Sequence, residues 1–314
     1  MTDAPIADCP VTPDDVAAAA ARIGSLVRRT PVIEDGGLIL KLELLQHAGS
    51  FKPRGAANRV LLARDRGTLP AAGVVTASGG NHGAALAYVG RALGITVEVF
   101  VPSTSPELKR QRIRAFGATV HTVEGYYNEA QAAADARQRD SGALLVHAFD
   151  HVDTVAGQGT MARELDEQVG GYDTLVVAAG GGGFIAGQAA WLRDRVRIVA
   201  VEPTSTDCLG AALRAGQPVD VEVSGLAADS LGARRIGAVP WGVVRGFVDE
   251  AVTVSDDAIR AAQRELWESM RLIVEPGGAA ALAAIRTGAY RPAPGERVVV
   301  VVCGSNADPA TIID

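Results

Sequence analysis

The chain has 314 residues, enough for two compact domains with a sizeable core. Hydrophobic residues make up 48% and charged residues 21%, with 36 glycines and 4% aromatics, which excludes disorder, collagen and coiled coil as the main state and points to a loop-rich globular enzyme. The net charge is −6 and the lysines and arginines are scattered, so no basic footprint for nucleic acid or anionic lipid is present.

The opening stretch MTDAPIADCPVTPDD is acidic and has no basic segment followed by an apolar core, so no secretory leader is expected. Thr12-Pro13-Asp14-Asp15 then starts a helix: a hydroxyl cap, proline in the first turn and acids at the positive end of the dipole, with Gly24 closing the run Ala17–Ile23. A second helix is expected through Ala56–Ala63. From Gly73 onward strand-like runs alternate with helical patterns: Val74–Ala77 and Ala84–Ala92, Val97–Val101 and Pro106–Phe116, Thr119–Val123 and Glu129–Arg139, then Leu144–Phe149. The rhythm resumes with Leu175–Ala179, a helix over Ile185–Leu192, and Ile198–Val201, and closes with Val252–Val254, Asp256–Met270 and Val298–Val302. All-valine runs like the last are apolar on both faces, the pattern of central strands in a parallel sheet covered by helices. Apolar runs of that length fall far short of a membrane span. The fold class is α/β, and the Gly/Ser/Asn clusters at 78–81, 180–183 and 304–306 should face one cleft beyond the carboxyl ends of the strands. Three cysteines, Cys9, Cys208 and Cys303, show neither metal nor CxxC spacing and suit a reducing, cytoplasmic compartment.

Four segments carry chemistry. In Ser50-Phe51-Lys52-Pro53-Arg54-Gly55, proline should push Lys52 out of the α region and begin a helix, whose positive end lowers the lysine pKa and favours a Schiff base with an aldehyde. A surface lysine is the plainer alternative. Ser78-Gly79-Gly80-Asn81-His82-Gly83 lies between strand and helix, where consecutive amides form an anion site for a carboxylate or phosphate. A glycine turn is the rival there, and His82 reads as a structural hydrogen-bonder rather than a proton carrier. Gly180-Gly181-Gly182-Gly183 follows a strand and can wrap a phosphate, yet Gly181-x-Gly183-x-x-Ala186 with Glu202 further on also fits a dinucleotide-binding oxidoreductase. Cys303-Gly304-Ser305-Asn306 ends the last strand with a thiol that is either packing or a weak partner for an aromatic nitrogen.

Taken in order with Val274-Glu275-Pro276-Gly277-Gly278-Ala279, Ala156-Gly157-Gln158-Gly159-Thr160 and Gly225-Leu226-Ala227-Ala228-Asp229, these segments resemble the serine/threonine dehydratase (threonine ammonia-lyase) and serine racemase family of fold-type II pyridoxal phosphate (PLP) enzymes, from about Val16 to the C-terminus. The resemblance implies a tryptophan synthase β-like fold of two open, twisted, mostly parallel sheets flanked by helices. It implies a large PLP-binding domain from residues 1–64 and 151–314 and a small, mobile substrate-loop domain from residues 65–150. Lys52 would be the catalytic Schiff-base lysine, with Phe51 on the cofactor ring, Asn81 on its hydroxyl, Gly180, Gly181, Gly182 and Gly183 on its phosphate and Cys303 facing its pyridine nitrogen. Ser78, Gly79, Asn81 and His82 would line the substrate site. The implied reaction is β-elimination from a β-hydroxy amino acid, L-threonine and/or L-serine, giving a 2-oxo acid and ammonia, with the cofactor phosphate helping the hydroxyl leave. The alternatives are a 3-hydroxyaspartate ammonia-lyase, a serine racemase, β-replacement of the cysteine synthase kind, a non-catalytic PLP carrier, and an NAD(P)-dependent oxidoreductase. Replacement enzymes usually show Ser-Gly-Asn-Thr-Gly, so His82 favours elimination.

Two departures matter. Racemases carry a serine at the position of Gly79, so weak or absent racemisation is expected. Family members that bind a divalent cation have an acidic cluster after the strand here ending at Glu202, but this chain offers Glu202 and Asp207 with Cys208 where a carboxylate is expected, which counts against a metal. With Asp314 soon after Cys303, no feedback-regulatory domain is expected, and the implied partner is a copy of the chain, as a dimer or tetramer.

Overall fold

The structure, a computed structural model, describes residues 9–313; the expected lack of a leader rests in part on residues 1–8, outside the described residues. Helix α1 (Pro13–Ile23) starts as its sequence dictates: the Thr12 hydroxyl accepts the Asp15 amide while the Asp15 carboxylate accepts the Thr12 amide. Strands β1 (Val32–Asp35) and β2 (Leu38–Lys41) form an antiparallel hairpin that the sequence pattern did not single out. β2 is buried along its whole length and β1 is mostly exposed, so neither alternates. Helix α2 (Pro53–Asp65) follows the Lys52 segment.

Four parallel strands come next: β3 (Val74–Ala77), α3 (Asn81–Leu93), β4 (Val97–Pro102), α4 (Glu107–Ala115), β5 (Thr119–Val123), α5 (Tyr127–Ser141) and β6 (Leu144–Leu145), in the order β5-β4-β3-β6. The run expected as a strand to Phe149 stops at Leu145 because its next residues serve the cleft. The Val146 amide still reaches Val75, but the Phe149 and Asp150 amides donate to His147 Nδ1, at 3.3 and 2.9 Å. That turn aims the Ala148 carbonyl at Lys52.

Helix α6 (Val152–Val169) then crosses to β7 (Thr174–Ala178), α7 (Gly183–Leu192), β8 (Arg197–Pro203), α8 (Cys208–Ala215), the short α9 (Ala228–Leu231), α10 (Ala238–Phe247), β9 (Glu250–Val254), α11 (Asp256–Met270), α12 (Pro276–Thr287), β10 (Val298–Val301) and α13 (Ala310–Ile313). The second sheet, β1-β2-β10-β7-β8-β9, is parallel apart from the β1 edge, and all four valines of β10 are buried at its centre. The fold is therefore α/β, two mostly parallel sheets flanked by helices.

Helix α6 was hidden in the sequence by Gly157 and Gly159, poor helix formers that are needed for close packing. A Cβ on Gly157 would lie 2.5 Å from the Arg54 carbonyl of α2, and one on Gly159 2.5 Å from the Gly187 carbonyl of α7. Helix α2 also buries Ala56, Ala57, Val60 and Leu61 in the core of the four-stranded sheet, so the segment carrying Lys52 is packed against both halves. Among the described residues, no helix is long and apolar enough to cross a membrane.

Candidate active site

Lys52 precedes Pro53 as expected, but its backbone is helical (φ −56°, ψ −32°) rather than extended. The steric preference imposed by proline is overridden because the Lys52 carbonyl accepts the Ala56 amide at 3.2 Å, and the Phe51 amide is held by the Cys303 carbonyl at 3.2 Å. Its Nζ donates to the Ala148 carbonyl at 2.9 Å and lies 5.1 Å from the Phe51 ring centre. Desolvation pulls its pKa down to about 8, against the attraction of Cys303 and Glu275. Burial is thus the dominant cause, where the sequence suggested the helix dipole.

The start of α2 is anchored by a cluster that the sequence did not reveal. Arg54, 1% exposed, donates Nε to Glu43 Oε2 at 2.8 Å and Nη2 to Glu43 Oε1 at 2.7 Å and Glu164 Oε2 at 3.0 Å. Lys41 on β2 donates to Glu164 Oε1 at 2.5 Å and to the Thr30 carbonyl at 2.9 Å. Burial works against the Glu43 carboxylate, but the Arg54 guanidinium beside it holds its pKa below the usual range. Two cations and two carboxylates neutralise one another directly behind Lys52.

The tetraglycine loop leaves β7 and enters α7 with Gly182 in the left-handed region (φ +86°). Side chains have no room there: a Cβ on Gly181 would meet the Phe149 ring at 2.7 Å, and one on Gly180 the Leu231 carbonyl at 3.0 Å. Among the described residues, the Gly180, Gly181 and Gly182 amides donate to no acceptor, which leaves an anion cradle at the α7 N-terminus. Phe51 stacks on Phe184 of α7, with ring centres 3.9 Å apart, and so ties the Lys52 segment to this loop.

Across the cleft, Asn81 begins α3. Its Nδ2 donates to Glu275 Oε1 at 2.6 Å and its Oδ1 accepts Asn306 Nδ2 at 2.6 Å. The sequence offered Glu275 only as part of a motif; it caps α12, is 3% exposed, and its second oxygen has no partner among the described residues. Burial raises its pKa to about 7. Ser78 Oγ accepts the Gly80 amide at 3.3 Å, so one of the amides expected to face a ligand is already used. His82 is buried beneath the loop, where Nε2 donates to the Val146 carbonyl at 2.9 Å and desolvation lowers its pKa to about 3, keeping it neutral. Gly79 is hemmed in by Ser105. Cys303 is buried, its thiol 3.5 Å from the Gly277 carbonyl, and burial pushes its pKa upward so that it stays protonated.

The two oxygens of Glu202 accept the Leu209 and Gly210 amides at the start of α8, each at 2.8 Å. Cys208 instead donates its thiol to the Gly180 carbonyl at 3.3 Å. Among the described residues, no three His, Cys, Asp or Glu side chains stand together as a metal site.

Comparison with known proteins decides the family: the pyridoxal-phosphate dependent enzyme family matches residues 23–304. The chain belongs to that family. It is 36% identical over 278 residues to the biosynthetic L-threonine dehydratase of Escherichia coli, covering 87% of this chain and 54% of that one, so it spans about half the length of that relative. It is 36% identical to the phenylserine dehydratase of Ralstonia pickettii, covering 94% and 93% of the two chains. The solved structure of maize serine racemase superposes with a TM-score of 0.90 at 32% identity, covering 96% of each chain. The dinucleotide reading of the glycine loop is thereby overturned. The residues fit pyridoxal phosphate: a half-buried lysine of lowered pKa faces the cleft, and a loop of unspent amides lies at a helix N-terminus.

Proposed function

We propose that this enzyme catalyses β-elimination from a β-hydroxy amino acid, L-threonine and/or L-serine, to a 2-oxo acid and ammonia. The observation that carries the reading is Lys52, an amine of lowered pKa bonded to the Ala148 carbonyl, on a segment that the Phe51–Phe184 stack ties to the loop of unspent Gly180–Gly182 amides. Bound pyridoxal phosphate supplies the electron sink that makes the substrate α-proton acidic. Gly180 to Gly183 would hold its phosphate, Asn81 its ring hydroxyl and Phe51 one side of the ring. The Cys303 thiol, kept protonated by burial, would meet the ring nitrogen as a weak neutral partner. Lys52 would hold the cofactor and, as an amine whose pKa burial lowers to about 8, would take the α-proton. Ser78, Gly79, Asn81 and His82 form the edge on which the substrate carboxylate rests, His82 from behind through its bond to Val146. Water leaves at Cβ and is regained when the released enamine hydrolyses, so the net change is loss of ammonia.

In the same reading, residues 65–150 close over the substrate against residues 1–64 and 151–314 and exclude water. The free thiols of Cys9, Cys208 and Cys303 support a cytoplasmic site of action, and a homo-oligomer, dimer or tetramer, is the assembly we assign. The test is to incubate the PLP-loaded protein separately with L-serine, L-threonine and L-threo-3-hydroxyaspartate and to measure 2-oxo acid and ammonia together. Equimolar release that is lost in Lys52→Ala is expected. No release from any of the three, or full activity in Lys52→Ala, overturns the reading.

A further inference from the structure

The substrate loop lacks a side chain at Gly79, and another residue stands in its place. A Cβ built on Gly79 would fall 1.8 Å from Ser105 Oγ and 2.8 Å from Ser105 Cβ, while the next neighbour, Val101 Cγ1, is at an ordinary 3.5 Å. Ser105 alone therefore blocks position 79. It lies in the turn between β4 and α4, which is fixed by its own amide donating to the Pro102 carbonyl at 3.0 Å. Ser105 is partly exposed and, among the described residues, its hydroxyl takes part in none of the side-chain hydrogen bonds around it. Neighbouring polar groups are already engaged. Ser103 Oγ donates to Glu124 at 3.1 Å and accepts the Gly125 amide at 3.4 Å, Ser78 Oγ accepts the Gly80 amide, and Lys109, 4.0 Å from a Cβ on Gly80, pairs with Asp229 at 2.5 Å. One uncommitted hydroxyl thus sits against the loop, delivered from a different strand end.

We propose that Ser105 gives the substrate carboxylate the hydroxyl that position 79 lacks, making the β4–α4 turn part of the substrate site. The inference rests on the reading of loop 78–81 as the carboxylate edge. A hydroxyl donating to a carboxylate makes a charge-assisted bond, and a side chain at position 79 would have to displace Ser105.

The test titrates the PLP-loaded enzyme with L-alanine, which has the carboxylate but no leaving group, and with ethylamine, which has no carboxylate, following the absorbance of the bound cofactor. Ser105→Ala should weaken L-alanine about ten-fold and leave ethylamine unchanged. With the reacting amino acid it should raise KM more than it lowers kcat. Ser105→Thr keeps the hydroxyl and should bind L-alanine normally. The exchange variant carrying Gly79→Ser with Ser105→Gly should recover the affinity that Ser105→Gly loses, since the next atom to a Cβ at position 79, Val101 Cγ1, lies at an ordinary 3.5 Å. Unchanged L-alanine binding in Ser105→Ala, or equal weakening of both probes, overturns the proposal. If Ser78→Ala weakens L-alanine while Ser105→Ala does not, the carboxylate edge stands and only Ser105 is wrong; if neither weakens it, the edge itself has failed.

Discussion

Replacing Glu43 by glutamine tests the idea that the start of the helix after Lys52 is held by a neutral buried cluster. In the native enzyme Lys41 and Arg54 balance Glu43 and Glu164, and both Arg54 and Glu43 are at most 1% exposed. Glu43→Gln keeps the shape and one acceptor but leaves one net positive charge in the cluster. Removing a partner from a buried pair costs about 3–5 kcal/mol. At roughly 2–4 °C per kcal/mol for a chain of this size class, the melting temperature should fall by about 10 °C at pH 7. The sign of the pH dependence follows from the lowered pKa of Glu43. A carboxylate whose pKa is lower in the folded state contributes stability above its unfolded value, about 4.3, and loses it as pH falls through the folded value. Melting curves of wild type and Glu43→Gln should therefore lie far apart at neutral pH and draw together in acid. As a control, Asp220→Asn, which breaks only the exposed pairs with Arg234 and Arg235, should leave the curve unchanged. Equal melting temperatures at pH 7, or a gap that widens in acid, would refute the argument.

Further outcomes follow from single contacts. Because the pKa of Lys52 is lowered to about 8, recapture of PLP by the apoenzyme should accelerate with pH and level off above about 8; a rise continuing past pH 10 would mean an ordinary lysine. Gly304→Ala would place a Cβ 1.9 Å from Glu275 Oε1, and the resulting overpacking should cost about 1–3 kcal/mol in denaturant titration and disturb the absorbance of bound cofactor through Asn81; wild-type values in both would show that the contact is soft. Prolonged dialysis against EDTA should change neither melting temperature nor turnover, since Glu202 is spent on the α8 amides, whereas a loss restored by magnesium would reveal a cation site. With no side chain at Gly79 and the nearby hydroxyl committed to the carboxylate, chiral analysis should find D-serine forming from L-serine far more slowly than pyruvate; comparable rates would contradict the assignment.

By itself the sequence determined what depends on neighbours along the chain. The Thr12 cap, the parallel core strands, the tetraglycine turn into α7 and the lysine ahead of Pro53 were all readable, because capping, apolar periodicity and glycine or proline geometry act over a few residues. Tertiary structure decided the rest. Asn81 meets Glu275 across 194 residues and Asn306 across 225, and Arg54 meets Glu164 across 110, so neither network leaves a local trace. The same holds for Ser105 filling the side-chain place of Gly79 and for the helical backbone of Lys52 against the preference set by proline. Even the lowered pKa of Lys52, correct in direction from the sequence, has its main cause in desolvation. Desolvation and pairing depend on which distant segments the packed sheets bring into one cleft, and that is a property of the folded chain.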